Sequence, residues 1–361
     1  METLYDYTTR LRALPPGTVF TRVAAAMASS RGDLQKAAQL ALAWPDTPQV
    51  ASICKAAVAA GGINTWGANL VDLQVASAEI LQLVQPRSVL GRLQRVKRVA
   101  FLTQTLKSSG AIGAGWVVEG AGIPLRSLNL DRVALSKSMI ASIVVVSQEL
   151  ARAASPASEG LLREEIIASI ASYTDRALLD PSIAASADNP ASLTNGATMH
   201  HSTGSSVAQI ESDLSAVVQM AIDAGSDMSA SAWAIHPRTA LFLTLARDVS
   251  GARAFPAISV QGGTLLGIPA LVSAALPISG SPGSTLIALL DGSRLLLADD
   301  GEATIFPSDQ GTVQLSDSPA GGPQTLVSLW QNFLTSFRVH REINFQAGDE
   351  STCVVLDQVN Y

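Results

Sequence analysis

The sequence predicts an α+β fold, on three observations. Two strand-like segments flank the glycine-rich stretch GAGWVVEGAGIPL (113–125), one long segment at 155–181 carries apolar residues at helical spacing, and short apolar runs beyond residue 189 alternate with helical patterns. Each element has a local reason.

Residues 1–60 read as alanine-rich helices. In GDLQKAAQLALAW (32–44), Asp33 stands at a helix start, where negative charge is favoured. TPQVASICKAAVAAGG follows, with Thr47 as cap, Pro48 at the first helical position and Gly61 past the end. Alanine favours helix but offers little volume for a core, so this part reads as a separate extension. Beyond the turn-rich GGINTWGAN, Leu73, Ala76, Ile80 and Leu83 share a helical face.

From residue 96 the pattern turns to strands. VKRVAFLTQTL leads into the glycine-rich loop and LDRVALSKSMIASIVVVS leads out, with Val133, Leu135, Met139, Ile143 and Val145 alternating toward one side. A hairpin of this length has too little core to stand alone in water. The loop also sets glycine, which costs backbone entropy, beside Trp116, Val117, Val118, Ile123 and Leu125, which should be sheltered. Such a loop needs an apolar surface to lie on.

The clearest helix is SPASEGLLREEIIASIASYTDRALLDP. Ser155 caps it, Pro156 suits the first turn, Glu159 favours the positive end and Pro181 stops it. Leu162, Ile166, Ile170, Tyr173 and Ala177 form an apolar stripe that Ile167, Ala171 and Leu178 widen. At 1.5 Å per residue the rod is roughly 35 Å long.

Residues 189–315 read as a mixed unit. Helix 205–223 puts Val207, Ile210, Leu214, Val217 and Ala221 on one face, SAWAI is a strand, and Pro237 opens a further helix. GIPALVS, STLIALL and SRLLLA are short strands between turns. The closing segments, around FRVHREINFQ and STCVVLDQV, read as strands that complete an earlier sheet.

Composition narrows the function. Of 361 residues 47% are hydrophobic and only 15% charged, yet no apolar run reaches the ~18–20 residues that span a bilayer. The surplus points to burial against other subunits, although an ordinary large core could also absorb it. The N-terminal residues carry acids and no secretory core. Net charge of −6 exerts no general pull on nucleic acid, although RLQRVKR (92–98) is basic. Cys54 and Cys353 have neither disulfide nor metal-ligand spacing.

No active site assembles from the sequence. His200 and His201 lie in the polar stretch ATMHHSTGSS, read as a loop, His236 at a strand-to-helix junction and His340 among basic residues. The glycine-rich stretch lacks the Lys-Ser/Thr of a phosphate loop. ISGSPGS departs from a nucleophile elbow. Glu164 and Glu165 diverge on their helix. The expectation is no catalytic residue, no cofactor and no metal.

The order of motifs is informative. Gly115, Trp116, Val117, Glu119 and Gly120 form a G-W-V-x-E-G loop motif. Val146, Ser147, Glu149 and Leu150 close a strand, and Asp175, Arg176 and Leu179 close the long helix. NPASLTNG (189–196), AIHPRTALFLTLARD with His236 where asparagine is common, LLGIPALVS and LTSFRVHREINF follow in order. From about residue 60 to 361 the chain thereby resembles the major capsid proteins of tailed phages, the Hong Kong 97 fold.

That resemblance implies an N-terminal arm (61–95), an extended loop with peripheral-domain strands (96–147), a spine helix (148–188), an axial domain (189–315) and returning peripheral strands (316–361). Residues 1–60 suit a scaffold-like segment. The resemblance further implies a structural shell subunit, not an enzyme, that forms hexamers and pentamers of an icosahedral head around double-stranded DNA. Portal, scaffold or protease proteins of the head would be its partners, with DNA held non-specifically and no membrane. Its place would be the virion, assembled in the host cytoplasm. The extended loop would cross a neighbouring subunit through Trp116, Val117, Glu119, Ile123, Leu125 and Arg126. Lys107 and Lys137 flank the loop, but no crosslink is expected. An encapsulin-type compartment around protein cargo is the alternative within the fold, and a soluble α+β enzyme using His200, His201 or His236 the alternative outside it.

Overall fold

Three short helices begin the computed structural model, which describes residues 17–30, 33–56, 81–109, 129–149, 156–279, 283–314 and 326–361. These are α1 (Thr18–Ser29), α2 (Leu34–Ala41) and α3 (Pro48–Ala56). Asp33 caps α2 as its position suggests, accepting from the backbone N–H groups of Gln35 and Lys36. Strands β1 (Lys97–Arg98), β2 (Gln104–Ser109), β3 (Asn129–Ala134) and β4 (Met139–Ser147) follow, then the long helix α4 (Pro156–Leu179). Beyond it come β5 (Thr198–His201), α5 (Val207–Asp223), β6 (Ser231–Ile235) and α6 (Pro237–Leu245). Strands complete the chain: β7 (Ile258–Ser259), β8 (Gly262–Leu265), β9 (Ile268–Val272), β10 (Thr285–Asp291), β11 (Leu295–Ser308), β12 (Thr312–Gln314), β13 (Leu326–Ser328), β14 (Leu334–Ala347) and β15 (Cys353–Val359).

The chain divides into two units, one of Met1–Gly91, Ile140–Thr174 and Gly301–Glu342, the other of Arg92–Met139, Asp175–Asp300 and Ile343–Tyr361. These cut across the contiguous boundaries read from sequence. The first unit has one core in which Phe20, Val23, Val50 and Ile53 meet Ile166, Ile167 and Ile170 of α4 and Phe337 and Val339 of β14. The N-terminal helices are therefore part of this core and not a separate extension. Their alanines (Ala26, Ala37, Ala38, Ala41) are themselves buried, and small side chains let helices approach closely. Arg22 ties α1 to the α2–α3 junction through Asp46 at 3.0 Å and the Thr47 hydroxyl at 2.8 Å, with its guanidinium over Trp44.

The 24-residue helix α4 runs about as far as expected, and its buried stripe is the predicted one except at Tyr173. Ile166, Ile167, Ile170, Ala171, Thr174 and Leu178 are buried, while Tyr173 is half exposed. Ile166 and Ile170 of the predicted line and the Ile167, Ala171 and Leu178 that widen it are buried as expected; the burial leans to that edge and adds Thr174, which satisfies its hydroxyl on the Ile170 carbonyl at 2.7 Å.

A seven-stranded sheet in the order β5-β15-β10-β6-β9-β8-β7 organises the second unit. β10 is buried along its whole length between antiparallel partners β15 and β6. Cys353–Val359, read as part of the returning peripheral strands, instead lies inside this sheet. Its Val354, Leu356 and Val359 join the core of α5, α6, Trp233 and Ile235. The buried indole of Trp233 donates to the Leu265 carbonyl at 3.0 Å. Ser206 and Gln209 close a capping box at the start of α5. Gly263 has φ of +147°, and a Cβ there would strike the Ala257 carbonyl oxygen, so only glycine fits where β8 passes β7.

A second sheet has the order β1-β11-β14-β4, and among the described residues β2 and β3 pair with each other alone. The alternation predicted across 133–145 breaks at 135–138, where no strand forms. Leu135 is buried, but Met139 and Ile143 are 62% and 54% exposed. Asn344 explains the break by binding the Ser136 carbonyl at 2.7 Å, while the Ser138 carbonyl accepts from the Ile343 N–H. The β4 face that packs is the other one, with Val144 and Val146 against the core and the Ser142 hydroxyl on Ser169 of α4.

Candidate assembly surfaces

The loop expected to cross a neighbour leaves from a defined stem. β2 and β3 are antiparallel in continuous register from Gln104↔Ala134 to Ser109↔Asn129. The predicted contact residues Trp116, Val117, Glu119, Ile123, Leu125 and Arg126 lie outside the described residues, as do Val118 and the glycines of the motif. A hairpin forms where the strand pattern predicts one, but its arms are Gln104–Ser109 and Asn129–Ala134, shorter than the runs read from sequence.

Of the two other motif groups, the helix-closing one fastens the fold through Asp175 and Leu179. Asp175, in the last turn of α4, is buried and accepts from the Ser273 hydroxyl at 2.9 Å. Leu179 is fully buried, and its carbonyl accepts from Thr194 at 2.9 Å, anchoring the NPASLTNG segment. Asp180 binds Arg176 and the Ser182 hydroxyl. Burial alone would raise its carboxyl, but the Ser182 hydrogen bonds and the Arg176 charge outweigh that and hold it below the usual range. Val146 of the strand-end motif packs on the first core, Glu149 is exposed, and Leu150 lies outside the described residues.

The histidines are dispersed. His200 and His201 sit on β5, not in a loop. Alternation along the strand turns them apart, His200 Nε2 to Asp213 at 3.5 Å and His201 Nδ1 to Asp357 at 4.0 Å. His236 is the N-cap of α6, its Nδ1 accepting from the Arg238 N–H at 3.1 Å. An acceptor ring there does what an asparagine cap would, and burial together with the Arg238 charge lowers its pKa, which keeps it neutral. Among the described residues no three His, Cys, Asp or Glu side chains are grouped to hold a metal ion. Both cysteines are buried and free, Cys54 pushed up to about 11 and Cys353 to about 12 by burial.

Sequence reading missed Asp213, which is 1% exposed inside the apolar face of α5. It accepts from the Thr203 N–H and hydroxyl, both at 2.8 Å, and from Ser202 at 3.3 Å, folding the 202–206 turn onto the helix. An acid on an otherwise apolar stripe was the available signal. A groove of about 1430 Å³ in the second unit runs past Lys97, Ser136, Asn189, Asn195, Arg294 and Asn344. Its lining mixes polar and apolar groups about equally, and Arg294 is already engaged by Asp349, the Gly225 carbonyl and Asp291.

The described residues combine an antiparallel hairpin stem, a 24-residue helix and a seven-stranded sheet, and group no three potential metal ligands. The fold is that of chains in phage and phage-like capsids. It matches a chain from Mycobacterium phage Ogopogo with TM-score 0.52 and 17% identity, covering 75% of this chain and 91% of that one. It also matches the capsid of a native GTA particle with TM-score 0.50 and 16% identity, covering 74% and 89%. In sequence, the chain is 30% identical over 366 residues to the capsid polyprotein of Pseudomonas phage PAJU2. It is 22% identical over 301 residues to the major capsid protein of Klebsiella oxytoca phage phiKO2. These alignments take in 96% and 80% of this chain but 55% and 68% of those proteins, so the chain spans about half the first relative's length. Residues 67–341 match the phage capsid family, and the chain belongs to that family.

Proposed function

We propose that this chain is the shell-forming part of a tailed-phage or prophage major capsid protein. It self-assembles into hexamers and pentamers of an icosahedral head that encloses double-stranded DNA. The observation that carries this is the 30% identity to a capsid polyprotein along 96% of the chain, on a fold shared with phage chains. The loop 113–125 supplies one contact between subunits: its apolar side chains lie on a neighbouring copy, and its glycines adapt one sequence to hexamer and pentamer angles. Stable contacts of this kind bury about 1,200–2,000 Å², and a closed lattice adds avidity to each. Portal, scaffold and protease proteins of the head are the partners of this reading, and the virion is its place, after assembly in the host cytoplasm.

Electron microscopy of the purified chain, with nuclease digestion of whatever it encloses, tests the reading. Closed shells with nuclease-protected DNA agree with it. Shells filled with protein would favour an encapsulin-type compartment, and a chain monomeric at all concentrations would overturn the shell reading. Trp116→Ala should raise the concentration needed for assembly by about 10-fold or more while leaving the circular dichroism spectrum unchanged. Shells of wild-type stability from that variant would remove the loop from the interface.

A further inference from the structure

An asparagine converts to aspartate without an enzyme when the backbone nitrogen that follows it can attack its side-chain carbonyl carbon. The described residues differ sharply in this respect. Asn189 precedes Pro190, which has no N–H to attack with. Asn344 is buried, its amide tied to Ser136 and Ser138 ahead of the bulky Phe345. Asn332 is exposed, but the N–H of the next residue, Phe333, is given to the Trp330 carbonyl at 3.5 Å. Asn129 precedes Leu130 inside the paired strand β3, and Asn360 precedes the buried Tyr361.

Asn195 differs from all of these. It is exposed, and so is Gly196 after it. Gly196 has φ of +71°, and a Cβ there would meet nothing within 4 Å, so its nitrogen is approached without obstruction from a side chain. The Ala197 N–H closes the turn on the Thr194 carbonyl at 3.4 Å, and among the described residues no group accepts from the Gly196 N–H. The pair Asp291–Gly292 shows the contrast. Asp291 is 2% exposed, and the Gly292 N–H is bound to the Ala230 carbonyl at 3.2 Å.

We infer that Asn195–Gly196 is a modification site where water replaces the side-chain amide, giving aspartate and isoaspartate, and that the change loosens residues 189–196 from the end of α4. This goes beyond the shell reading and does not depend on it. The Gly196 nitrogen, once deprotonated, attacks Cγ of Asn195. An N–Cγ bond forms, the Cγ–Nδ2 bond breaks, and ammonia leaves with the proton that Gly196 gave to solvent. Water then adds across one of the two carbonyl–nitrogen bonds of the succinimide ring, hydroxyl to carbon and hydrogen to nitrogen. Opening at Cγ gives aspartate. Opening at the main-chain carbonyl gives isoaspartate, with the chain running through Cγ. Nothing is oxidised or reduced.

The loosening follows from what Asn195 holds. Its Nδ2 donates to the Pro181 carbonyl at 2.7 Å, beside the Thr194 hydroxyl on the Leu179 carbonyl and the Leu193 N–H on the Leu178 carbonyl, both at 2.9 Å. The Pro181 bond is exposed, so water can take its place and free the amide to react. Conversion removes the donor and sets an anionic oxygen against a carbonyl oxygen, two acceptors with no hydrogen between them. Isoaspartate also adds a backbone carbon in the short link to β5, which begins at Thr198.

The test incubates the purified full chain, folded, at mildly alkaline pH and samples it over time by peptide mass spectrometry and by enzymatic methylation of isoaspartate. The peptide carrying Asn195 should gain the mass of an NH2-to-OH exchange and become a methyl acceptor, faster at higher pH because the attacking nitrogen must lose its proton. Peptides carrying Asn189, Asn332 and Asn344 should stay unchanged over the same period, and Asp291–Gly292 should accept methyl only after the chain is denatured. Asn195→Gln keeps an amide donor but needs a larger ring, so its signal at 195 should be lost. The melting midpoint of the wild type should fall as the converted fraction rises, while that of Asn195→Gln holds steady. An Asn195 that keeps its amide in the folded chain while the denatured chain converts overturns the site. Full conversion with an unchanged midpoint overturns the loosening. Should Asn195→Gln fail to fold, the comparison of folded with denatured wild type decides alone.

Discussion

At the scale of single residues, the second unit is held by carboxylates that find hydrogen-bond donors at short sequence range. Asp349 caps the turn before β15, accepting from the Ser351 N–H at 3.1 Å and its hydroxyl at 2.7 Å, and pairs with Arg294. Burial by itself would raise the Asp349 carboxyl, but Ser351 and Arg294 outweigh it and hold it below the usual range, as Ser182 and Arg176 do for Asp180. A carboxyl whose folded value is lowered contributes stability that is present above its unfolded value, near 3.9. That contribution is lost as pH falls through the folded one. The second unit should therefore lose stability progressively from about pH 4 downward. Asp349→Asn keeps a capping oxygen but cannot titrate, so it should flatten this acid limb and lower stability at neutral pH. Denaturant melts between about pH 2 and 7 would check it, and parallel curves for variant and wild type would count against it. Little of this was legible from the sequence. An aspartate followed two residues later by serine is a common turn, and only the fold brings Arg294 to it.

At the scale of elements, caps and stops read well because they are local. Asp33, Pro48, Pro156 and Pro237 each open the helix they were expected to open. What sequence periodicity could not supply was the direction each face takes. The Met139 and Ile143 face of β4 is apolar but exposed, because the four-residue break before it resets the alternation and α4 covers the opposite face. The alanine-rich N-terminus was misread for a related reason. Low side-chain volume suggested a weak core, whereas Phe20, Val50 and Ile53 share theirs with Ile166 and Ile170. Removing residues 18–56 should accordingly strip one side of α4 and leave the first unit unable to fold stably, with loss of its cooperative thermal transition. Ile170→Ala, which keeps the helices, should cost about 2–4 kcal/mol in the same unit by denaturant melting. If the truncated chain melts as cooperatively and as high as the intact one, the N-terminal helices are a dispensable extension after all.

At the scale of the whole molecule, the family motifs were legible because they lie in fixed order along the chain, while assembly surfaces depend on which apolar groups the fold leaves uncovered. Besides Leu245 and Val249, the described residues include Leu42, Leu102, Met139, Leu326, Trp330 and Phe333 at more than 60% exposure. Scattered single residues of this kind are ordinary, but large apolar side chains at this exposure are what a shell would cover on several sides at once. Anything that binds only the folded form stabilises it by mass action, and in the proposed shell neighbouring subunits are such ligands for one another. The assembled shell should therefore unfold at a higher temperature than the isolated chain, and the difference should grow with protein concentration where the two exchange. Differential scanning calorimetry on a dilution series separates the cases. A single transition independent of concentration, equal in shells and in dispersed chains, would mean that the exposed apolar side chains gain no shelter on assembly and that the subunit is stabilised from within alone.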